Sequence, residues 1–180
     1  MLTKAAAAAL STNDAGTFEA YASVFDNVDS HGDVVRRGAF TDTLKEWEAS
    51  GRPVPVLWGH NMDDPDYNIG HLLEAVEDEH GLRVRAQIDL EGPKGQQVHR
   101  LLKSGRVAQM SFAYDVLDGG PVEKDGADVY ELRRLKLYEV SVVPIGANQE
   151  TSLLDVKHGR SNAPRAPLKR YKADLALLAM

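Results

Sequence analysis

Three side chains of the kinds that cooperate in nucleophilic catalysis stand in three separate segments of this chain. Ser111 lies in Val107-Ala108-Gln109-Met110-Ser111-Phe112-Ala113-Tyr114, His60 in Trp58-Gly59-His60-Asn61, and Glu139 in Leu137-Tyr138-Glu139-Val140-Ser141. A serine hydroxyl becomes a nucleophile when an imidazole takes its proton, and an acid can orient that imidazole. Each residue also has a plain explanation. Ser111 alone is an ordinary strand residue, and His60 alone is a surface histidine capping a turn. Their company is what points to chemistry.

Glu139 is the oddest acid. It interrupts Leu135-Lys136-Leu137-Tyr138-Glu139-Val140-Ser141-Val142-Val143, an otherwise nearly apolar strand. Strict alternation puts it on one face with Leu137, Ser141 and Val143. Desolvating a carboxylate is costly, so either that face meets water or Glu139 has a mate. An imidazole that becomes positive during a reaction is one such mate. A plain ion pair with Arg133 or Arg134 is the rival.

Among the other histidines, His71 and His80 border a hairpin, His99 falls on a solvated helix face, and His31 and His158 lie in polar segments. A metal site from His31, His60 and nearby aspartates finds no supporting ligand spacing, so neither metal nor cofactor is expected. The chain has no Gly-rich phosphate loop and no helical His-Glu-x-x-His.

The elements that must position these residues follow from periodicity. As a strand, the Ser111 segment turns Met110, Phe112 and Tyr114 to one face and Gln109, Ser111 and Ala113 to the other. The small hydroxyl thus occupies the face that lacks bulk. Val54 to Trp58 is a short apolar strand that delivers Gly59-His60-Asn61 to a loop edge, where reactive groups ride on a rigid scaffold. Thr17 to Asp26 alternates as a first strand, and Val34-Val35 is short and extended. Ala39 to about Ala49 is a helix, with Phe40, Leu44 and Trp47 on one stripe. Ile69 to Val76 and Leu82 to Leu90 form an antiparallel pair. Pro93 to Lys103 is a second helix, with Gly105 beyond its end. A loop at Gly119 to Gly126 separates the Ser111 strand from Val129 to Val143.

About seven strands and two or three helices without regular strand–helix alternation predict an α+β, mainly β fold. The expected architecture is an antiparallel sheet or closed β-barrel with the helices outside. Residues 1–16 are expected as a flexible leader, 17–157 as the domain, and 158–180 as a basic, flexible tail in which Leu168 to Met180 could form a short helix.

A chain of 180 residues suits one domain, which at this size buries roughly 70% of its unfolded surface. A net charge of −6 argues against general nucleic-acid binding, which needs cations to displace counterions from phosphate. No cysteine means no disulfide scaffold and no thiolate metal site, which fits a reducing compartment. No apolar run approaches the ~20 residues of a membrane span, so a soluble, intracellular protein is expected.

An ordered set of short motifs carries a family resemblance from about Phe18 to Val156. These are Phe25-Asp26 with Asp29 and Gly32-Asp33-Val34-Val35, Gly38-Ala39-Phe40 with Leu44, and Leu57-Trp58-Gly59-His60. Ile69-Gly70, Gly81-Leu82, Met110 to Tyr114, and Leu137 to Pro144 with Ala147-Asn148 complete the set. In these the chain resembles the prohead (capsid-maturation) serine proteases of tailed bacteriophages.

The resemblance implies a barrel related to the herpesvirus assemblin proteases, with the histidine at His60, the nucleophile at Ser111 and the acid at Glu139. It implies a serine endopeptidase that cuts scaffold or the scaffold-like part of the major capsid protein, and itself, inside the procapsid in the host cytoplasm. Capsid or scaffold protein is then the partner, self-association into a homo-oligomer is left open, and neither nucleic acid nor membrane is called for. Where many relatives carry glycine shortly after the serine, this chain has Phe112-Ala113, and the oxyanion donors stay unassigned. Arg133 and Arg134 are candidates by loose analogy. A catalytically silent assembly factor on the same fold and a ligand-binding β-barrel are the alternatives.

Overall fold

The two longest strands form the spine of the molecule. In the computed structural model, which describes residues 2–7, 11–12 and 14–146, strand β8 (Gln109–Lys124) pairs antiparallel with β9 (Ala127–Val143) along its whole length. The loop expected at Gly119 to Gly126 is therefore mostly strand, with a turn only at Asp125-Gly126, both at positive φ. Backbone hydrogen bonding across the hairpin overrides the weak strand propensity of Gly119 and Gly120.

Because β8 fills one edge of β9, the other edge is left for two further strands. Strand β4 (Asp33–Val35) lies parallel to Tyr130–Leu132, and β5 (Pro55–Trp58) lies parallel to Val140–Val142. Helix α1 (Thr41–Ser50) bridges the gap between them. Backbone groups in that gap find partners there, as buried ladders must. Leu135 N donates to Ala39 O, Leu137 N donates to Thr43 Oγ1, and Trp47 Nε1 donates to Leu137 O, at 2.9, 3.0 and 2.9 Å. These two parallel pairs modify the all-antiparallel expectation. A strand–helix–strand crossover running along one edge of β9 makes them unavoidable.

Beyond β5 the sheet continues antiparallel through β6 (Asn68–Glu77), β7 (Gly81–Ile88), β3 (Thr17–Val24) and β2 (Ser11–Thr12). The alanine-rich start, where the sequence shows no strand, pairs with β8 as β1 (Leu2–Ala7). Strand β3 lies alongside β1 and β8, so the sheet, nine-stranded among the described residues, curls into a half-barrel of mixed pairing instead of a closed antiparallel barrel. Helix α2 (Pro93–Lys103) packs against β2, β6 and β7. Its His99 is buried, not on the solvated face expected, because the helix lies against several strands and needs a wide inward face. The tail 158–180, with the helix expected at Leu168 to Met180, lies outside the described residues.

The core fills the inside of the curl. Met110, Phe112 and Tyr114 point into it, as alternation requires, with Phe18, Phe40, Val56, Leu82, Val84 and Ile88. Phe112 meets Phe40 edge-on at 5.1 Å and Tyr114 at 5.0 Å. Burying each such side chain stabilises the fold by about 1.5–3 kcal/mol. Burial also pushes the Tyr114 hydroxyl well above its ordinary pKa.

Strict alternation fails at one place in β9. Ala113 pairs with Glu139 but Tyr114 pairs with Leu137, so Tyr138 is an extra residue on the β9 side. This bulge puts Leu135 and Leu137 on the core side together with Val140 and Val142. Glu139 therefore does not share a face with Leu137. It faces the other way with Ser141, outside the main apolar cluster.

Candidate active site

On the face of the sheet away from the main core, β8, β9 and β5 run side by side. Ser111 pairs with Ser141, and Ser141 pairs with Leu57 on its other flank. Ala113 pairs with Glu139. Paired residues in neighbouring strands project to the same side, about 4.8 Å apart. Ser111, Ser141 and Glu139 thus share one surface, and all three are buried.

His60 reaches that surface through a tight turn. Strand β5 ends at Trp58, and Gly59 N donates to Val142 O at 3.0 Å as the last ladder bond. Gly59 and His60 then take φ of 67° and 60°, both left-handed, and Asn61 N returns toward Trp58 O at 3.5 Å. Glycine adopts this conformation freely. For histidine it is uncommon and costs roughly 1–3 kcal/mol unless the surroundings hold it. Here the Ser141 hydroxyl accepts from His60 N at 3.0 Å. Asn61 Oδ1 stiffens the next bend by accepting from Asp63 N and Asp64 N, each at 3.1 Å.

The turn delivers the imidazole to Glu139, with His60 Nδ1 2.5 Å from Glu139 Oε1. A carboxylate can only accept, so Nδ1 carries the hydrogen and Nε2 is the nitrogen left for proton exchange. The other carboxylate oxygen, Oε2, accepts from Ser141 Oγ at 2.6 Å. The mate that Glu139 requires is therefore an imidazole and a hydroxyl, not an arginine. Arg133 donates twice to Asp118, at 3.0 and 3.2 Å, and approaches Glu131 at 3.4 Å. Arg133 and Arg134 lie roughly 20 Å up β9 from the row that holds Ser111 and Ser141, which removes both as oxyanion donors there.

The structure thus joins His60 and Glu139 directly and sets Ser111 on the adjacent strand, one pairing step from the Ser141 hydroxyl that touches both. The imidazole keeps 18% of its surface exposed while Glu139 keeps almost none. Access to the cluster is from the His60 side. Among the described residues no group of histidine and acidic side chains is arranged to hold a metal ion, and no helix is long and apolar enough to cross a membrane.

Residues 3–163 match the family described as caudovirus prohead serine protease. The chain belongs to that family. It is 30% identical over 143 residues to the prohead protease of Enterobacteria phage HK97, covering 79% of this chain and 60% of that protein. It is 29% identical over 125 residues to the prohead protease of Escherichia phage T5, covering 69% and 55% of the two chains. A stretch of 111 residues is 31% identical to part of a capsid polyprotein of Pseudomonas phage PAJU2, 58% of this chain and 16% of that one. This chain therefore spans little more than half the length of the two prohead proteases. Its fold is similar to that of the bacteriophage T4 capsid assembly protease, with a TM-score of 0.60 over 79% of this chain and 95% of that one, at 12% identity.

Within this family member, the residue that sequence reasoning passed over is Ser141. The signal was present: Glu139 and Ser141 stand two apart in a strand and so share a face. What could not be read was that the His60 turn closes over that same face.

Proposed function

We propose that this chain is a serine endopeptidase in which Ser111 is the nucleophile, His60 the general base and acid, and Glu139 the orienting acid. The observation that carries it is the 2.5 Å contact between His60 Nδ1 and a buried carboxylate, on the face and one strand away from a small buried hydroxyl. Family membership supports the same reading.

Ser111 Oγ attacks the scissile carbonyl as His60 Nε2 takes its proton. The imidazolium that forms is stabilised by Glu139, whose second oxygen is held by Ser141. Collapse of the tetrahedral intermediate breaks the C–N bond, and His60 returns the proton to the leaving amine. Water, deprotonated by the same imidazole, then hydrolyses the acyl-serine. Low local exposure strengthens each of these charge interactions.

The substrate we propose is a scaffold protein or the scaffold-like segment of a capsid protein, cut inside the procapsid. The names of the relatives support this choice, a capsid polyprotein and capsid assembly or prohead proteases. Co-expression with the cognate capsid and scaffold proteins tests it. Wild-type chain should shorten one of them, while Ser111→Ala and His60→Ala should each lower cleavage by about 10⁴-fold or more with the fold intact. Full cleavage by Ser111→Ala would sink the serine-protease reading.

A further inference from the structure

Resting on the serine-protease reading, we propose that Ser141 is a positioning residue for His60, acting on the imidazole from two sides at once. Its hydroxyl proton goes to Glu139 Oε2 at 2.6 Å, and its oxygen accepts from His60 N at 3.0 Å. With the Nδ1 contact at 2.5 Å, these bonds close a circuit from carboxylate to hydroxyl to histidine backbone to histidine ring and back to carboxylate.

Each link does a separate job. The terminal torsion of a glutamate is broad, so a carboxylate held at one oxygen can swivel. The Ser141 bond pins the second oxygen and leaves Oε1 aimed at the ring. On the backbone side, the β5–β9 ladder stops at Gly59 N, and the left-handed turn lifts His60 N away from any strand partner. Ser141 supplies the acceptor there. It is suitably placed because its pairing with Leu57 sets it beneath the start of the turn. The ring therefore projects from a backbone fixed by the same hydroxyl that fixes its carboxylate. Ser141 is not a second nucleophile, since its proton is given to the carboxylate, and it is fully buried.

The circuit explains how an imidazole on an unfavourable backbone can be held for proton transfer. Preorganisation of this kind acts on the chemical step and not on substrate affinity. Loss of the hydroxyl should therefore lower kcat and spare KM.

The test compares wild-type chain with Ser141→Ala, Ser141→Thr, Ser141→Cys and Ser111→Ala on one peptide or capsid substrate. Ser141→Ala should lower kcat by about 10- to 100-fold, the range known for losing an outer hydrogen-bond partner of a metal-ligating histidine, with KM little changed. Ser141→Thr keeps the hydroxyl and should recover most of the rate. Ser141→Cys keeps the side-chain shape with a somewhat larger atom but donates weakly, and should fall between alanine and wild type. As a readout that packing alone would not move, proton NMR in the inactive Ser111→Ala background should show a downfield His60 Nδ1–H resonance. That resonance should shift upfield or broaden when Ser141→Ala is added.

An unchanged kcat in Ser141→Ala or Ser141→Cys, with Ser111→Ala inactive, would overturn the positioning role and leave the protease reading standing. Should Ser141→Ala not fold, the cysteine and threonine variants decide, and a cysteine variant at full rate overturns the proposal. An active Ser111→Ala would overturn the protease reading itself.

Discussion

The two ends of β9 each carry a glutamate paired with a nitrogen base, and they differ in every respect that matters. At the early end, Glu131 accepts from Arg36 Nε at 2.6 Å and faces Arg133, itself bound to Asp118, in a network whose arginines and Asp118 are partly exposed. At the late end, Glu139 is buried and its partners are an imidazole and a hydroxyl. The arginines are permanent cations, and such a network holds charge without moving protons. An imidazole can give up its proton and take it back. The comparison teaches that a carboxylate–base contact can serve catalysis only when the base is titratable, the acid is desolvated, and a hydroxyl shares the face. Only the late end has all three.

The sharpest way to break the comparison is to neutralise each carboxylate in turn. Glu139→Gln should lower kcat/KM by about 10³- to 10⁴-fold, since the amide cannot hold the same tautomer or offset the imidazolium charge. Glu131→Gln should leave kcat/KM within about twofold. Steady-state cleavage of one substrate by both variants measures the difference, and equal losses would erase the distinction between the two ends.

Acidification separates the ends next. At the late end a protonated imidazole accepts no proton, so log kcat/KM should fall with unit slope on the acid side. A profile with no acid limb would argue against histidine as the base.

The smallest effect belongs to the early end. Hydrogen bonding from Arg36 holds the Glu131 carboxyl below the usual carboxylate range, and Arg133 does the same to Asp118. Carboxylates depressed in this way stabilise the fold above their unfolded values and lose that contribution as pH falls through the folded ones. The loss therefore comes below about pH 4. Thermal melts of wild type and a Glu131→Gln/Asp118→Asn double variant should converge there and differ slightly at neutral pH. Salt should shrink the difference, because exposed pairs are screened.

Much of the molecule was determined by the sequence alone. Alternation in Leu82 to Leu90 and in Met110 to Tyr114 could satisfy burial in only one way, and those faces are the ones observed. Pro93 and Lys103 bound the second helix as expected, since proline suits a first turn. Ser111, His60 and Glu139 could be named from residue type and company, and the need of Glu139 for a partner followed from the cost of burying charge.

Other features were decided only by tertiary structure, because they depend on groups far apart in the chain. The Tyr138 bulge is invisible to periodicity, since an extra residue shows only against a partner strand. It alone separates the face of Glu139 from that of Leu137. The parallel pairings of β4 and β5 required α1 to span a gap along β9, and β1 required β8 as a template. The identity of the mate of Glu139 was settled by where a left-handed turn carries His60, and the hydrogen bonds of Ser141 by what that turn closes over. Local pattern fixes which way a side chain faces, whereas only the assembled sheet determines what it faces.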